Sequence, residues 1–204
     1  MRADTVIIFD FETTGLSPDQ GDRPIEIGAV RLVNGEIKDQ FQALMNPGFA
    51  ITSFIEDYTG ITNSMLCKAA PCSQVITEFS EFIGNDNLIA HNVSFDQRFL
   101  KAELDRLNKH CSGDFSCSLL LSRRIFQDAK SHKLGELIQY ANIPSSGDFH
   151  RALYDAQMTS HLWLAMLNNI GERYNLFDLS FKQIQTLCQT PKKSIDKVLK
   201  TWSL

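Results

Sequence analysis

The sequence predicts an α/β protein in which helices sandwich a single mixed sheet. Three observations carry this reading. Thr5 to Phe11 (TVIIFDF) is a β-branched and aromatic run, continuously apolar at its start, as in a central strand buried on both faces. Ile25 to Val33 and Ile37 to Met45 read as two further strands, and Asn34-Gly35 between them is a strong hairpin signal, so they should pair antiparallel. Further along, short strand-like runs are interspersed with helical periodicity, the pattern of helices packed on a sheet.

The elements follow in order. A loop rich in Gly, Pro, Ser and Asp (Gly15 to Pro24) separates the first two strands. Pro71 opens a predicted helix to about Ile83, with Val75, Ile76, Phe79, Phe82 and Ile83 on one face. Asn87 to Ala90 is a short strand. Ser94 to about Leu107 is a helix with an apolar stripe of Phe95, Phe99, Leu100, Leu104 and Leu107, and Ser94 with Gln97 has the pattern of a capping box. A strand near Phe115 to Ser118, a helix from about Lys133 to Ala141 and a last core helix from about His150 to Asn168 complete the domain, residues 1–170. Residues 171–204 form a short basic extension, read as two helices split at Pro191. From Asp178 onward it holds five lysines (182, 192, 193, 197, 200) against Asp178 and Asp196, a net +3, which leaves −7 for the residues before it.

Composition narrows the class. With 204 residues, 43% hydrophobic and 22% charged, the chain suits one globular domain with a substantial core. No run is long and apolar enough to span a membrane, and the start, Met1-Arg2-Ala3-Asp4, does not read as a signal peptide, so a cytoplasmic protein is expected. Cys67, Cys72, Cys111, Cys117 and Cys188 form no CxxC pair, which points to reduced, mostly buried thiols rather than structural zinc. The net charge of −4 argues against gripping long duplex by charge alone. It suits an enzyme that loads divalent cations on clustered carboxylates, because such ions invert the local field.

Three segments carry chemistry. Asp10 and Glu12 stand two apart on a strand, so their carboxylates share one face, roughly 7 Å apart along the chain. A like-charged pair at the end of a buried strand calls for a neutralising cation. Thr13-Thr14-Gly15-Leu16 then turns the chain, with Gly15 free to take a positive φ. The second segment, His91 to Asp96, joins a strand to a helix and sets Asp96 in the first turn, where the helix dipole favours a carboxylate. His91 reads as structural, holding that turn. In the third, His150 and Asp155 are five apart, and five residues on a helix rotate about 140° beyond one turn. His150 therefore belongs at the helix start or in the loop before it, and Asp155 one turn in, facing the sheet. The loop Pro144 to Phe149 reads as mobile, able to swing His150 towards a substrate. Four carboxylates and a histidine suit hydrolysis of a phosphodiester with two hard cations about 4 Å apart, the histidine taking a proton from water at neutral pH.

Phe9-Asp10-Phe11-Glu12-Thr13-Thr14-Gly15-Leu16, His91-Asn92-x-x-Phe95-Asp96 and His150-x-Ala152-x-x-Asp155 resemble, in this order and spacing, the three motifs of the DEDD exonuclease superfamily. The match is to its histidine-bearing branch, typified by the proofreading epsilon subunit of bacterial DNA polymerase III. The tyrosine branch would carry Tyr where this chain has Arg151. Ile25 to Val30 and Thr59 to Thr62 also resemble supporting segments, and the likeness spans roughly residues 5–170. It implies a ribonuclease H-like fold with a five-stranded mixed sheet flanked by helices, and a 3′→5′ exonuclease that releases nucleoside 5′-monophosphates. It implies two divalent cations, Mg²⁺ or Mn²⁺, bridged by Asp10. Glu12 and Asp155 would bind the water-activating one, and Asp96 would act on the other. His150 would be the general base. Phe11, Thr13 and Leu16 would meet the terminal nucleotide, with Asn92 and Phe95 lining its pocket. One departure is Ser116-Cys117, where many relatives carry Asp-Thr.

The expected partner is the 3′ end of single-stranded nucleic acid, DNA favoured over RNA. An RNA trimmer like oligoribonuclease or ribonuclease T is the alternative, and a non-catalytic module binding nucleic acid or a polymerase a more distant one. Association with a DNA polymerase and homodimer formation are both compatible with the resemblance. The tail lacks a Gln/Pro/Gly-rich linker, and Asn175-Leu176-Phe177 is too weak a clamp-binding motif, which favours a stand-alone enzyme.

Overall fold

A computed structural model describes residues 1–146 and 150–203. The sheet has the order β4-β3-β2-β1-β5-β6. Its strands are β1 (Val6–Thr13), β2 (Pro24–Val33), β3 (Glu36–Asn46), β4 (Ala70–Pro71), β5 (Leu88–Ala90) and β6 (Phe115–Cys117). β1, β2 and β3 form the antiparallel meander, and β5 and β6 add in parallel on the other side of β1. The sixth strand beyond the expected five is β4, a two-residue pairing with Met45 and Asn46. The β2–β3 turn is the expected one: Asn34 and Gly35 have φ of 53° and 78°, as a two-residue hairpin loop with matching twist requires.

The helices are α1 (Ser53–Thr59), α2 (Asn63–Leu66), α3 (Cys72–Ile83), α4 (Val93–Arg106), α5 (Ser118–Ile125), α6 (Leu134–Tyr140), α7 (Ala152–Tyr174), α8 (Phe181–Gln189) and α9 (Ile195–Trp202). The continuous apolar run of β1 is buried on both faces. Ile7, Phe9 and Phe11 pack with residues of α3 and α4, while Val6 and Ile8 pack with residues of α5 to α9. By the period of two, Asp10 and Glu12 share the Val6–Ile8 face, the side covered by α7.

Three expectations are corrected. Ser94 and Gln97 form no capping box: α4 starts at Val93, its N-cap is Asn92 with a φ of 75°, and no side chain caps it. Gly15 is not at positive φ. What it supplies is room, since a Cβ there would lie 2.4 Å from the Asp22 carboxylate. The last core helix ends at Tyr174 rather than Asn168, because nothing at 169–171 stops it; Gly171 is tolerated there, with the Phe177 ring filling the space of its absent Cβ. Helix α5, between β6 and α6, had no predicted counterpart. The expectation of a mobile loop before His150 falls partly on residues 147–149, outside the described residues.

The C-terminal extension packs into the molecule. Leu179, Phe181, Ile184, Leu187, Cys188, Ile195 and Leu199 are buried with the α7 face of the core. Ala3 donates to the Leu179 carbonyl at 2.8 Å, and Phe181 to that of Met1 at 3.0 Å. No helix among the described residues is long and apolar enough to cross a membrane.

Candidate active site

The site lies at the C-terminal end of β1, where three elements converge. β1 supplies Asp10 and Glu12. The α7 helix supplies Asp155, and its approach is set by Gly28 on β2, the register partner of Asp10. A Cβ at Gly28 would stand 2.0 Å from the Leu153 nitrogen, so only glycine lets the start of α7 lie against the strand. Oxygens of Asp10, Glu12 and Asp155 come within 4.8 Å of one another.

Asp96 arrives from α4 by a different route. Phe11 lies beyond the last β1–β5 register pair, which is Ile8 with Ile89, so its N–H is left without a β5 partner. It donates to Asp96 Oδ1 at 3.1 Å. The bond pins Asp96, which is 2% exposed, beside Asp10. His150 stands just before α7 with a φ of 73°, and its N–H donates to Asp155 Oδ2 at 3.0 Å. The other oxygen, Asp155 Oδ1, is buried with no partner among the described residues.

The electrostatics are those of an incomplete charge set. Burial, then repulsion from Asp96, Glu12, Asp155 and Glu26, pushes the Asp10 carboxyl well above the carboxylate range. Burial pushes Glu12 up to about 8, with Asp155, Glu26 and Asp96 adding to it. Asp96 rises to about 7 through burial, opposed by its bond from Phe11. Asp155 rises to about 6 by burial, held back by the His150 N–H. Such a group of carboxyls cannot all ionise in a low-dielectric site unless positive charge joins them. The donor set fits a hard divalent cation: it offers only oxygens, closely spaced, one of them buried without a partner.

A cleft of about 670 Å³ opens from these carboxylates. Thr13, Leu16, Asn92 and Phe95 line it, as does Phe11, whose ring packs edge-on to Phe9 in the core. Leu16 is 77% exposed at the mouth. Its loop is organised by Asp22, which accepts from the Thr14 hydroxyl at 3.1 Å and the Ser17 N–H at 2.9 Å. The wall opposite had no motif to announce it. Phe54 and Tyr58 of α1 stack nearly parallel at 6.1 Å, and Tyr58 meets the His150 ring at 4.4 Å. The α1 helix also contributes Ile55 and Thr59 to the lining.

His91 lies at the edge of the cleft with both ring nitrogens engaged. Nε2 is 3.0 Å from the His132 carbonyl and Nδ1 is 2.9 Å from the Ser118 hydroxyl. A carbonyl only accepts, so Nε2 carries the proton. Burial lowers this imidazole to about 4, so it is neutral and holds the turn. Arg151 and Glu26 were not foreseen as supports of the site. Glu26 is fully buried behind Glu12 and accepts from Arg151 Nε at 3.1 Å, Arg151 Nη2 at 2.8 Å and the Ala152 N–H at 3.1 Å. This ties the N-terminus of α7, and with it Asp155, to β2.

A ribonuclease H-like sandwich that gathers unneutralised carboxylates and a histidine in one cleft defines a nuclease. Residues 7–162 match the family model for exonucleases, and the chain belongs to that family. Within it, this chain carries the DEDDh residue pattern at Asp10, Glu12, Asp96, His150 and Asp155. It is 38% identical over 166 residues to the PolC-type DNA polymerase III of Caldanaerobacter subterraneus subsp. tengcongensis, and 38% over 175 residues to that of Bacillus subtilis. The matches cover 81% and 85% of this chain but 12% of each polymerase. Among solved structures it superposes on exonuclease X in complex with 5′ overhanging duplex DNA with a TM-score of 0.71 and 25% identity, over 89% of this chain and 98% of that one. It shares its fold with the nuclease domain of 3′hExo, a DEDDh family member bound to rAMP, with a TM-score of 0.68 and 22% identity over 81% and 92% of the two chains.

Proposed function

We propose that this chain hydrolyses single-stranded DNA from its 3′ end and releases nucleoside 5′-monophosphates. The observation that carries the proposal is the cluster of Asp10, Glu12 and Asp155 oxygens at the inner end of a cleft sized for a terminal nucleotide. Two divalent cations, Mg²⁺ or Mn²⁺, held by Asp10, Glu12, Asp155 and Asp96, would supply Lewis acidity at the attacking water and at the leaving 3′ oxygen. Leu16 and Phe95, with Phe54 and Tyr58 opposite, offer apolar surface to the terminal base. Thr13 and Asn92 offer polar groups to its sugar. His150 takes the proton of the attacking water. This reading is supported by an exposed His150 just ahead of the helix, with its backbone N–H bonded to Asp155 and its ring against Tyr58.

DNA is favoured over RNA because the 25%-identical neighbour was solved on DNA and the relatives at 38% identity are DNA polymerases. The experiment compares 5′-labelled DNA and RNA strands of one sequence in Mg²⁺, Mn²⁺ or EDTA. The expected result is a metal-dependent ladder shortening from the 3′ end, faster on DNA. In the same assay His150→Ala should slow the rate by roughly 10²–10⁴ at neutral pH and recover as pH rises. No ladder with either metal would overturn the proposal; a faster RNA ladder would overturn its substrate.

A further inference from the structure

The cleft does not end at the carboxylates. Past Asp10, His150 and Asp155 it continues as a second trough of about 730 Å³, bordered by Arg123 of α5 and by Lys130 and Lys133 of the α5–α6 loop. All three cations are exposed, and none joins an ion pair among the described residues. The loop is fastened beside the catalytic turn through the bond from His91 Nε2 to the His132 carbonyl.

The C-terminal extension carries this charge onward. Arg124 Nε donates to the Thr190 carbonyl at 3.2 Å and Gln127 Nε2 to the Lys192 carbonyl at 3.2 Å, so the turn bearing Lys192 and Lys193 is tied to α5. Lys192 and Arg123 both bear on the His132 imidazole, which is pushed below its ordinary value first by burial and further by these two charges. Beyond lies a hollow of about 210 Å³ bordered by Arg124, Arg173, Lys192 and Lys193. The one carboxylate on its wall among the described residues, Asp196, is occupied by Lys200 at 2.8 Å and by the Tyr174 hydroxyl at 2.9 Å. In a chain of net charge −4, Arg123, Lys130 and Lys133 share one trough with Asp10 and Asp155, and Lys192 is held next to it by the bond from Gln127.

We propose that Arg123, Lys130 and Lys133, continued by Lys192 and Lys193 of the C-terminal extension, form a phosphate track for the DNA strand on the 5′ side of the scissile bond. The inference rests on the exonuclease reading above. The terminal nucleotide occupies the apolar cleft, and the backbone behind it runs over the cations. Sequence-independent phosphate contacts suit an enzyme that must hold any strand while removing one nucleotide at a time. Strands too short to reach Lys192 would gain nothing from it.

The test uses the full chain and the variant K130A/K133A/K192A/K193A, with K192A/K193A as the distal half. Binding of a long 5′-labelled single strand is followed by fluorescence anisotropy in EDTA across a salt series. The quadruple variant should bind about tenfold or more weakly, and its slope of log affinity against log salt should shrink by about 3, since each lost contact removes about 0.7. The K192A/K193A slope should shrink by about half as much. Hydrolysis of the p-nitrophenyl ester of thymidine 5′-monophosphate, which has no upstream phosphates, should be unchanged. Unchanged affinity and slope in a folded variant would overturn the track and point instead to a protein partner for the tail. Equal loss on the p-nitrophenyl ester would also overturn it. A wild-type chain whose slope exceeds the variants' by the stated amounts but which never shortens the strand would refute the exonuclease reading and leave the track standing, so the two failures are distinguishable.

Discussion

Glu12 and Glu26 are register partners across the β1–β2 ladder and share one face of the sheet, yet they are opposite kinds of buried carboxylate. Glu26 has no exposure and is satisfied by donors from Arg151, the Ala152 N–H and Gln42 Nε2. The Glu12 side chain, in a residue 8% exposed, has no hydrogen bond among the described residues and shares its space with Asp10 and Asp155. The first is a structural tether whose charge is balanced within the chain. The second belongs to a group whose balance must come from outside. Buried charge left uncompensated is costly, so its retention marks the place where function overrides stability.

The comparison can be broken at either member. The largest expected effect is on activity. Asp10→Ala should lower exonuclease turnover by more than about 10²-fold if Asp10 is the ligand proposed to be shared by both cations, while the melting temperature in EDTA holds or rises because a repulsive group has gone. Residual activity above about one percent of wild type would refute the bridging role. At the tether, Arg151→Ala strands Glu26. A fully buried broken pair costs about 3–5 kcal/mol, and Arg151 is itself half exposed, so a loss of about 2 kcal/mol in denaturant unfolding is expected. Stability unchanged within about 0.5 kcal/mol would refute the tether.

The smallest expected effect is on the pH dependence of the metal-free protein. The folded state raises Glu12 to about 8, Asp96 to about 7 and Asp155 to about 6, each above its unfolded value near 4. The folded chain therefore binds more protons than the unfolded one between about pH 4 and 8. Stability should fall as pH rises through that window, the reverse of a salt-bridged carboxylate. In EDTA the melting temperature should drop by about 5 °C or more from pH 5 to pH 8, and saturating Mg²⁺ should flatten the drop. A melting temperature that climbs with pH in EDTA would contradict the uncompensated cluster.

Two Ser-x-x-Gln segments show how far a local pattern reaches. At Ser180 and Gln183 both halves of a capping box form: the Ser180 hydroxyl accepts from the Gln183 N–H at 3.2 Å, and the Ser180 N–H donates to Gln183 Oε1 at 2.9 Å. At Ser94 and Gln97 the same spelling is overridden, and α4 begins from a left-handed Asn92. That start turns Asp96 back to reach the Phe11 N–H. The helix start thus goes with the long-range bond of Asp96 to β1 rather than with the local capping pattern.

Much of the molecule was determined by the sequence alone, for a local reason. Side-chain period on a strand put Asp10 and Glu12 on one face, Asn34-Gly35 dictated its hairpin, and helical rotation excluded His150 and Asp155 from one helix face, so His150 had to precede α7. These follow from bond geometry within a few residues. Only the tertiary structure decided the rest. It set the contact of Gly28 with the start of α7, the ion pair between Arg151 and Glu26 and the meeting of Tyr58 with His150. It also brought Lys192 of the tail towards the cations of α5. Partners more than a hundred residues apart, such as Glu26 and Arg151, meet because burying the apolar faces of β1, β2 and α7 leaves one way for those elements to pack.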